Sequence, residues 1–367
     1  MEKIEILKYR QHEDDRSWTL PWRNHPITQG VMPLFMTVDD YYHPIGTAFF
    51  VGSPYPFLLT AVHCVDVAVK EDPRLERLLV SGPLQGNYDL KRAALSILQI
   101  RSDGHKGQFT FWPIETFTGS PPGDVLFGVG AAINGQPFGR CRISFTPPFP
   151  GETLLSVGYE FDGKIRESGI PRNAVIDGSF DWNEFNPRLV VSRGEVAAIF
   201  SQRFAHGFVA GPCFAFSADV RHGMSGGPIF NSKGDVCGIN SASAAHWFAE
   251  TMSLGSLLYM LILSEITFGF YLGSNRTGRI NRKSRILELI ADGQIWSDGS
   301  EEEIGFSEGY EDEDGNRKPM VHGKFDSEHR NSLFEDFQAF QEKRPPEPFH
   351  GPITRIRYDQ DPDSDVK

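Results

Sequence analysis

The segment RHGMSGGPIF at residues 221–230 places Ser225 between glycines, directly before an apolar run. A serine in this setting could act as an acyl-transfer nucleophile, because small neighbours let a substrate carbonyl approach the hydroxyl closely. The backbone amides of Gly223 and Ser225 could then point into one hollow and stabilise the oxyanion that forms during attack. The alternative is a turn that merely needs glycines, and a catalytic role requires a general base near the serine.

His63 is the strongest candidate for that base. It lies near the end of the apolar segment FLLTAVHCV at residues 57–65, where a purely structural histidine is the alternative. A catalytic histidine also needs a buried carboxylate that fixes its tautomer. Asp124, at the start of the apolar segment DVLFGVG, fits this role, and Asp89 is the main rival because it also precedes an apolar stretch. Asp66 is too close to His63 in sequence to reach the far ring nitrogen.

The elements around these residues are predicted to be short strands. Apolar runs of strand length alternate with Gly, Pro and Asp, which supply turns. Many short strands at this spacing indicate barrels or a sandwich, and the Pro-rich segment TPPFPGE at residues 146–152 separates two β units of similar size. The runs lie at residues 46–52, 57–62, 93–101, 124–133, 154–161, 188–200, 208–218, 227–231 and 235–243.

The remaining segments are predicted to flank the two β units. Helical periodicity occurs at residues 282–295 and in the Phe-bearing segment 331–343. Between them, residues 297–315 hold nine acidic residues and no basic one, which predicts a flexible segment. The predicted organisation is an N-terminal arm or edge strand at 1–29, a first β unit at 30–145, a second at 146–270, a helical extension at 271–296, and an acidic, flexible tail with a short amphipathic helix at 297–367.

Charge and cysteine usage exclude several classes of function. The net charge is −12, and the acidic segment 297–315 supplies most of it, so the rest of the chain is close to neutral. No cluster of Lys and Arg is available for phosphates, so we expect no nucleic-acid partner. The four cysteines form no CxxC pair, and their spacing argues against a zinc site.

Two segments bear on secretion and membrane association. Residues 1–18 carry charges throughout and have no apolar core, so they do not predict a secretory signal. The apolar segment 252–272 contains Glu265 and has no basic flank before it, which favours a buried strand and helix over the alternative of a membrane span. We therefore expect a cytoplasmic protein with reduced thiols and no membrane partner.

Several of these motifs together resemble the chymotrypsin/trypsin-type serine proteases, and the order His, Asp, Ser is that of the family. The segments SRGEVAAIF at 192–200 and GDVCGINSAS at 234–243 further resemble the compact bacterial trypsin-like peptidases, including the HtrA proteases. The resemblance covers roughly residues 30–265. The motifs that carry it are Gly-Thr-Ala-Phe at 46–49, Thr-Ala-Val-His-Cys at 60–64, Asp-Val-Leu at 124–126 and Gly-Met-Ser-Gly-Gly-Pro at 223–228.

The resemblance implies an all-β fold of two packed six-stranded antiparallel barrels, with the active site in the cleft between them. It implies Ser225 as nucleophile, His63 as general base and Asp124 as the residue that orients the base. The amides of Gly223 and Ser225 would form the oxyanion hole. The implied activity is that of a serine endopeptidase, which hydrolyses peptide bonds through an acyl-enzyme without a metal or an organic cofactor.

The resemblance also implies a substrate pocket. Asp219 lies six residues before Ser225, which is the spacing at which trypsin-like enzymes place the acid that binds Arg or Lys. The alternative is a surface acid paired with Arg221. Three small residues would form the wall of the pocket, namely Ser241, Ala242 and Ser243.

The sequence departs from the family in three places. Cys64 has no cysteine near residues 44–50 that could be its disulfide partner, which favours a reduced protein in which all four cysteines are small buried residues. Met224 stands where zymogen-activated relatives carry an aspartate that pairs with a newly cut N-terminus, so we expect no activation by N-terminal cleavage. Residues 270–367 are too acidic and too broken to form a PDZ-like domain.

Three hypotheses for the function follow. The first is an active serine endopeptidase that acts on proteins or peptides. The second is a catalytically silent trypsin-like domain that binds protein. The third is a regulated effector protease, in which the Phe-bearing segment 331–343 docks across the cleft as an inhibitor or binds a regulatory partner.

Overall fold

The computed structural model describes residues 16–20, 26–71, 94–102, 107–119, 123–131, 139–171, 187–200, 209, 211–243, 252–272, 278–307 and 320–323. The strands in chain order are β1 (Ser17–Leu20), β2 (Val31–Val38), β3 (Tyr41–Phe50), β4 (Phe57–Ala61), β5 (Leu95–Ser102), β6 (Gly107–Gly119), β7 (Val125–Gly130), β8 (Thr153–Glu160), β9 (Ile170–Pro171), β10 (Arg188–Phe200), β11 (Cys213–Phe216), β12 (Pro228–Phe230), β13 (Val236–Ser243), β14 (Ser253–Leu257), β15 (Glu265–Leu272), β16 (Gly278–Arg285), β17 (Ile304–Ser307) and β18 (Met320–Gly323). The α-helices are α1 (Val62–Glu71), α2 (Gly163–Ser168) and α3 (Ile286–Ala291), and short 3-10 helices occur at Pro26–Gln29, Tyr259–Leu263 and Ser300–Glu303.

The first barrel closes six antiparallel strands in the order β2, β5, β6, β7, β4, β3, with β3 pairing back to β2. Its strands are rich in β-branched and aromatic residues, which fit the half-buried surface of a sheet. Aromatic side chains fill the interior, and Phe50 meets Trp112 edge to face at a centroid distance of 6.2 Å. Closure pairs each of these six strands on both sides along part of its length.

The second barrel closes in the order β10, β11, β14, β13, β12, β8, with β8 pairing back to β10. Its interior includes Phe214 and Phe216 of β11, whose rings are tilted relative to each other with their centroids 5.5 Å apart. One direct link to the first barrel is the buried Tyr159 of β8, whose hydroxyl donates to the carbonyl of Val31 at 3.2 Å. The two barrels confirm the fold that the resemblance implied.

Two further strands lie on the outside of the barrels. β1 pairs with β10 of the second barrel, so part of the predicted N-terminal arm is an edge strand. β9 belongs to the connection after β8 but pairs with β3 of the first barrel. The connection therefore crosses from the second barrel to the first.

The segment after the second barrel contains less helix than predicted. β15 and β16 form an antiparallel hairpin over residues 265–285, and the helix α3 occupies only Ile286–Ala291 of the predicted helical segment 282–295. Part of the segment predicted as the end of the second β unit, residues 265–270, belongs to this hairpin. Residues 278–285 form a strand because they pair with β15. The helical spacing of apolar residues at 282–295 did not reveal this pairing.

This C-terminal hairpin packs against the first barrel. Phe268 of β15 is fully buried, and its ring lies 5.0 Å from Tyr55 and 5.2 Å from Phe57 between centroids. The hydroxyl of Thr116 in β6 also donates to the carbonyl of Thr267 at 3.0 Å. The hairpin is therefore part of the folded core.

The residues that follow α3 contact the linker between the barrels, which is described over residues 139–152. The amide of Ile143 donates to the carbonyl of Trp296 at 2.9 Å, and Arg142 lies over the Trp296 ring at 5.7 Å from its centroid. On its other side, Arg142 forms a bidentate ion pair with the buried Asp235 of the second barrel. The linker is thus bonded to both the extension and the second barrel.

The predicted flexible, acidic segment is partly ordered. Its beginning forms the 3-10 helix Ser300–Glu303 and the strand β17, which pairs with β18. The buried Ser300 hydroxyl accepts a bond from the amide of Phe145 at 2.7 Å, which explains why this acidic stretch is fixed to the linker. The segment 331–343 lies outside the described residues. None of the described helices is both long enough and apolar enough to cross a bilayer.

Removal of the Phe268 side chain tests whether the hairpin is part of the core. We expect Phe268→Ala to lower the free energy of unfolding by about 3–5 kcal/mol, because it leaves a cavity between the hairpin and the first barrel. Urea unfolding followed by tryptophan fluorescence measures this change. The control is Phe149→Ala, which removes a side chain that is 55% exposed and should change stability little. Equal effects of the two substitutions would contradict the packing.

Candidate active site

The end of β4 and the start of β7 bring His63 and Asp124 together. β4 pairs with β7 so that Ala61 lies opposite Val125, and His63 follows in the first turn of α1. Asp124 directly precedes β7 on the neighbouring strand. The register of this one strand pair therefore places the carboxylate beside the imidazole.

Asp124 binds His63 through both carboxylate oxygens. Oδ2 lies 2.7 Å from the ring Nδ1, and Oδ1 accepts the backbone amide of His63 at 2.9 Å. An acceptor at the first turn of a helix is also stabilised by the unpaired amides there. The Asp124 side chain is 9% exposed and that of His63 is 42% exposed. The buried carboxylate of Asp124 thus fixes the orientation of the His63 ring. The rival candidate, Asp89, lies outside the described residues.

The surroundings of His63 raise its pKa. Burial has the largest effect and lowers the pKa, but the neighbouring Cys64 and the hydrogen bond to Asp124 raise it. The pKa of His63 consequently lies well above its ordinary value of 6.5. A histidine with a raised pKa is a stronger proton acceptor, provided that the pH is high enough for the ring to be neutral.

Ser225 lies in the nucleophile loop, residues 221–227, which is built from two consecutive turns. The amide of Met224 donates to the carbonyl of Arg221 at 3.0 Å, and that of Gly227 donates to Met224 at 2.9 Å. Gly223 and Gly226 occupy the third position of each turn, with φ of 94° and 81°. Such positive values favour glycine and define type II-like turns. The two glycines therefore set the path of the chain on both sides of Ser225.

Two of the amides at residues 223–227 have no acceptor in the described part of the chain. Among the amides at 223–227, those of Met224, Gly226 and Gly227 donate to backbone carbonyls. Those of Gly223 and Ser225 donate to no acceptor within the described part of the chain. These are the two amides that the resemblance assigned to the oxyanion hole.

The nucleophile loop contacts the strand that leads to His63. A Cβ on Gly226 would lie 2.9 Å from the amide nitrogen of Ala61, so Ser225 and Gly226 lie directly against the end of β4. A hydrogen bond between Ser225 Oγ and His63 Nε2 is not formed among the described residues. There, His63 Nε2 lies 3.8 Å from Cys64 Sγ. The backbone therefore brings the nucleophile loop and the end of β4 together.

The predicted pocket acid, Asp219, is engaged by Arg221. Arg221 Nε donates to Asp219 Oδ2 at 2.8 Å, and the same guanidinium lies 3.4 Å from Glu160. The Asp219 side chain is 45% exposed. A carboxylate that is already paired attracts a second cation less strongly, so the surface alternative has direct support. Preference for a basic substrate residue stays a prediction.

The predicted pocket wall lies on β13. Ser241 is buried and its hydroxyl lies 2.7 Å from that of Ser256 on β14, while Ser243 is exposed at the end of the strand. β14 also supports the loop of Asp219, because the Ser253 hydroxyl donates to the carbonyl of Ala218 at 2.8 Å. The strand β14 therefore contacts both the predicted wall and the Asp219 loop. The wall residues are Ser241, Ala242 and Ser243.

All four cysteines are buried free thiols. Burial raises the pKa of the Cys141 and Cys237 thiols, which keeps them protonated and unreactive. Within the described ranges, no group of three His, Cys, Asp or Glu side chains could hold a metal ion.

Residues 46–239, more than half of the chain, match the family model of the trypsin-like peptidase domain. The chain belongs to this family. Similar solved structures include the MamO protease domain of Magnetospirillum magneticum, at 14% identity and a TM-score of 0.41 over 65% of this chain and 96% of that one. The active form of the Rv3671c protease of M. tuberculosis shares 13% identity at a TM-score of 0.36, over 63% of this chain and 76% of that one.

The HtrA-type protease AlgW is a third similar structure, with 16% identity and a TM-score of 0.36 over 64% of this chain and 57% of that one. No curated protein sequence gives a significant match. The family match confirms the resemblance recognised in the sequence, and the match contains His63, Asp124 and Ser225.

Thr47 and Asn240 are among the residues that contact the nucleophile loop but had no predicted role. Thr47 lies on β3 and Asn240 on β13, and both are buried. Asn240 interrupts the apolar run VCGIN, and a buried amide in a strand is a sign of a polar network. Thr47 carries no such signal, because threonine is an ordinary strand residue.

The raised pKa of His63 predicts the pH dependence of the peptidase domain. Under the roles that the resemblance implies for His63 and Ser225, the base must be neutral, so modification of Ser225 by a fluorophosphonate should be slow at low pH and accelerate as the pH rises through the raised pKa of His63. Asp124→Asn removes a carboxylate that raises this pKa, so the midpoint should move to lower pH. The maximal rate should fall by about 10⁴-fold, as expected when the orienting carboxylate of a triad becomes an amide.

The control for this pH profile is Asp292→Asn, which removes a carboxylate of an exposed ion pair with Arg282 in the extension. It should leave both the midpoint and the maximal rate unchanged. A midpoint that stays in place in Asp124→Asn would contradict the assignment of Asp124 as the partner of His63.

Proposed function

We propose that the chain is a serine endopeptidase in which Ser225 is the nucleophile, His63 the general base and Asp124 the residue that orients the base. The observation that carries the proposal is the bond between Asp124 and His63 Nδ1 at 2.7 Å. This bond leaves Nε2 as the nitrogen available to accept a proton. The His63 side chain is 42% exposed, so the ring lies partly at the surface of the protein.

In the proposed reaction, Ser225 Oγ attacks the carbonyl carbon of the scissile peptide while its proton passes to His63 Nε2. The carbonyl oxygen becomes an oxyanion and accepts hydrogen bonds from the amides of Gly223 and Ser225. The C–N bond then breaks, and the proton on Nε2 moves to the leaving amine. A water molecule attacks the acyl-enzyme by the same path and releases the carboxylic acid product.

The proposed setting is the cytoplasm, with proteins or peptides as substrates. The buried free thiol of Cys64, directly beside His63, is compatible with a reducing compartment. Control of a protease in that setting would fall to the C-terminal segment, including residues 331–343, acting either on the cleft or on a regulatory partner. The family match supports the peptidase class of this proposal.

A second candidate is a catalytically silent domain that binds protein. The distance of 3.8 Å between His63 Nε2 and Cys64 Sγ favours it, because Nε2 faces the thiol here rather than Ser225. Catalytic hydrogen bonds often tighten only when a substrate is bound, so the peptidase remains the better-supported proposal.

Intact mass after treatment with a fluorophosphonate distinguishes the two candidates. The active peptidase should gain one phosphonyl group on Ser225, because an activated oxygen displaces fluoride, and Ser225→Ala should gain none. Ser232→Ala is the matched control, since it removes an exposed serine that is bonded to Glu152, and it should be labelled like the wild type. A folded wild-type protein that gains no mass would favour the binding domain.

A further inference from the structure

Thr47 joins the first barrel to the nucleophile loop of the second. Its backbone amide donates to the carbonyl of Ser225 at 2.7 Å, and its hydroxyl donates to the carbonyl of Gly223 at 2.8 Å. The same hydroxyl accepts the amide of Tyr159 at 2.9 Å. Because Thr47 is fully buried and its hydroxyl has both a donor and an acceptor, the side chain is fixed in one orientation.

Asn240 holds the opposite side of the nucleophile loop. Its side-chain amide donates to the carbonyl of Met224 at 3.2 Å, and its backbone carbonyl accepts the amide of Gly226 at 2.8 Å. The hydroxyl of Ser156 donates to the Asn240 side-chain oxygen at 2.7 Å, which sets the direction of the amide group. The nucleophile loop is therefore bonded on one side by the first barrel and on the other by β13.

The bond from Thr47 acts on the peptide plane next to Gly223. The carbonyl of Gly223 is held by the Thr47 hydroxyl, and the amide of Met224, in the same plane, is held by the carbonyl of Arg221. Glycine rotates easily about φ and ψ, so an unfixed Gly223 would not keep its own amide in one direction. Fixing the plane restricts this rotation and with it the direction of the Gly223 amide.

Met224 does not supply an equivalent restraint. Its side chain is fully buried, and the amide of Arg221 approaches its sulfur at 3.3 Å. A thioether is only a weak acceptor, so this contact restrains the nucleophile loop less than a bond to a hydroxyl or a charged group. Thr47 and Asn240 thus supply the hydrogen bonds that hold residues 223–227 from outside the loop, within the described part of the chain.

We propose that Thr47 is a positioning residue for the oxyanion hole, whose hydroxyl keeps the Gly223 amide directed at the substrate carbonyl. The residue acts through Gly223 and contacts neither the substrate nor the reacting atoms. This inference rests on the proposed peptidase function. It predicts that the hydroxyl of Thr47 increases the rate at which Ser225 attacks a fluorophosphonate and changes the affinity for the fluorophosphonate little.

The test compares Thr47→Val, Thr47→Ser and Thr37→Val with the wild type. Thr47→Val keeps the shape and removes the hydroxyl, whereas Thr47→Ser restores it. Thr37→Val is the matched control, because the hydroxyl of Thr37 is buried without a hydrogen-bond partner among the described residues. Fluorophosphonate labelling at increasing concentrations, at a temperature where every variant is folded, gives the maximal rate and the half-saturating concentration for each protein.

We expect Thr47→Val to lower the maximal labelling rate by about 10–100-fold, somewhat less than the loss of a whole oxyanion-hole donor. The half-saturating concentration should stay within about 3-fold, and Thr47→Ser and Thr37→Val should match the wild type within the same factor. The NMR resonance of the proton on His63 Nδ1 should be unchanged in all variants, because the bond to Asp124 is not touched.

The outcomes separate this inference from the function on which it rests. A wild type that is not labelled overturns the peptidase proposal and the inference with it. A labelled wild type with an equally reactive Thr47→Val overturns the inference alone. Loss of the His63 resonance in Thr47→Val, or failure of Thr47→Ser to restore the rate, would mean a general structural role and would also overturn it.

Discussion

The structure depends on the junction at which the nucleophile loop of one barrel is bonded to β3 of the other. The side chains proposed for catalysis come from different barrels, since His63 and Asp124 lie on the first and Ser225 on the second. Neither barrel can position the other's residues by its own pairing. The hydrogen bonds from Thr47 to the carbonyls of Gly223 and Ser225 hold the nucleophile loop of the second barrel against β3 of the first. The hydroxyl of Thr60, three residues before His63, donates to the carbonyl of Thr47 at 2.7 Å and continues this connection to β4.

The C-terminal extension supports the same junction from the outside. The linker between the barrels is bonded to Asp235 of the second barrel and to Trp296 of the extension. The hairpin before Trp296 is anchored by Phe268 in the first barrel. A shift of the extension would therefore move the linker, and with it the relative placement of the barrels. This arrangement gives the described residues 265–272 and 278–300 a structural role that their sequence did not suggest.

The short apolar runs with turn residues between them predicted barrels or a sandwich, because strand patterns are local. The resemblance to the protease family narrowed this to two barrels, and the position of Asp124 at the start of an apolar segment favoured it over Asp89 as the partner of His63. The β15–β16 hairpin was missed because strand pairing between residues 265 and 285 is not local, and the helical period of 282–295 dominated the interpretation. The ion pair of Asp219 with Arg221 was foreseen only as an alternative, since two residues that are close in sequence can point in different directions.

The proposed role of Thr47 could not have been predicted from the amino-acid sequence alone. Its hydroxyl matters only because the nucleophile loop of a distant segment lies beside it, and no property of residues 46–49 reveals that neighbour. Asn240 was more visible, because an amide inside an apolar strand must find partners. Buried polar contacts between distant segments are thus the part of such a site that only the three-dimensional structure supplies.

A crystal structure of the protein after reaction with a fluorophosphonate would show whether the nucleophile loop forms an oxyanion hole. We expect one phosphonyl group bonded to Ser225 Oγ, with its oxygen about 2.7–3.1 Å from the amide nitrogens of both Gly223 and Ser225. The carbonyl of Gly223 should still accept the bond from the Thr47 hydroxyl. A phosphonyl oxygen that points away from these amides, or a nucleophile loop that has left Thr47, would contradict the account.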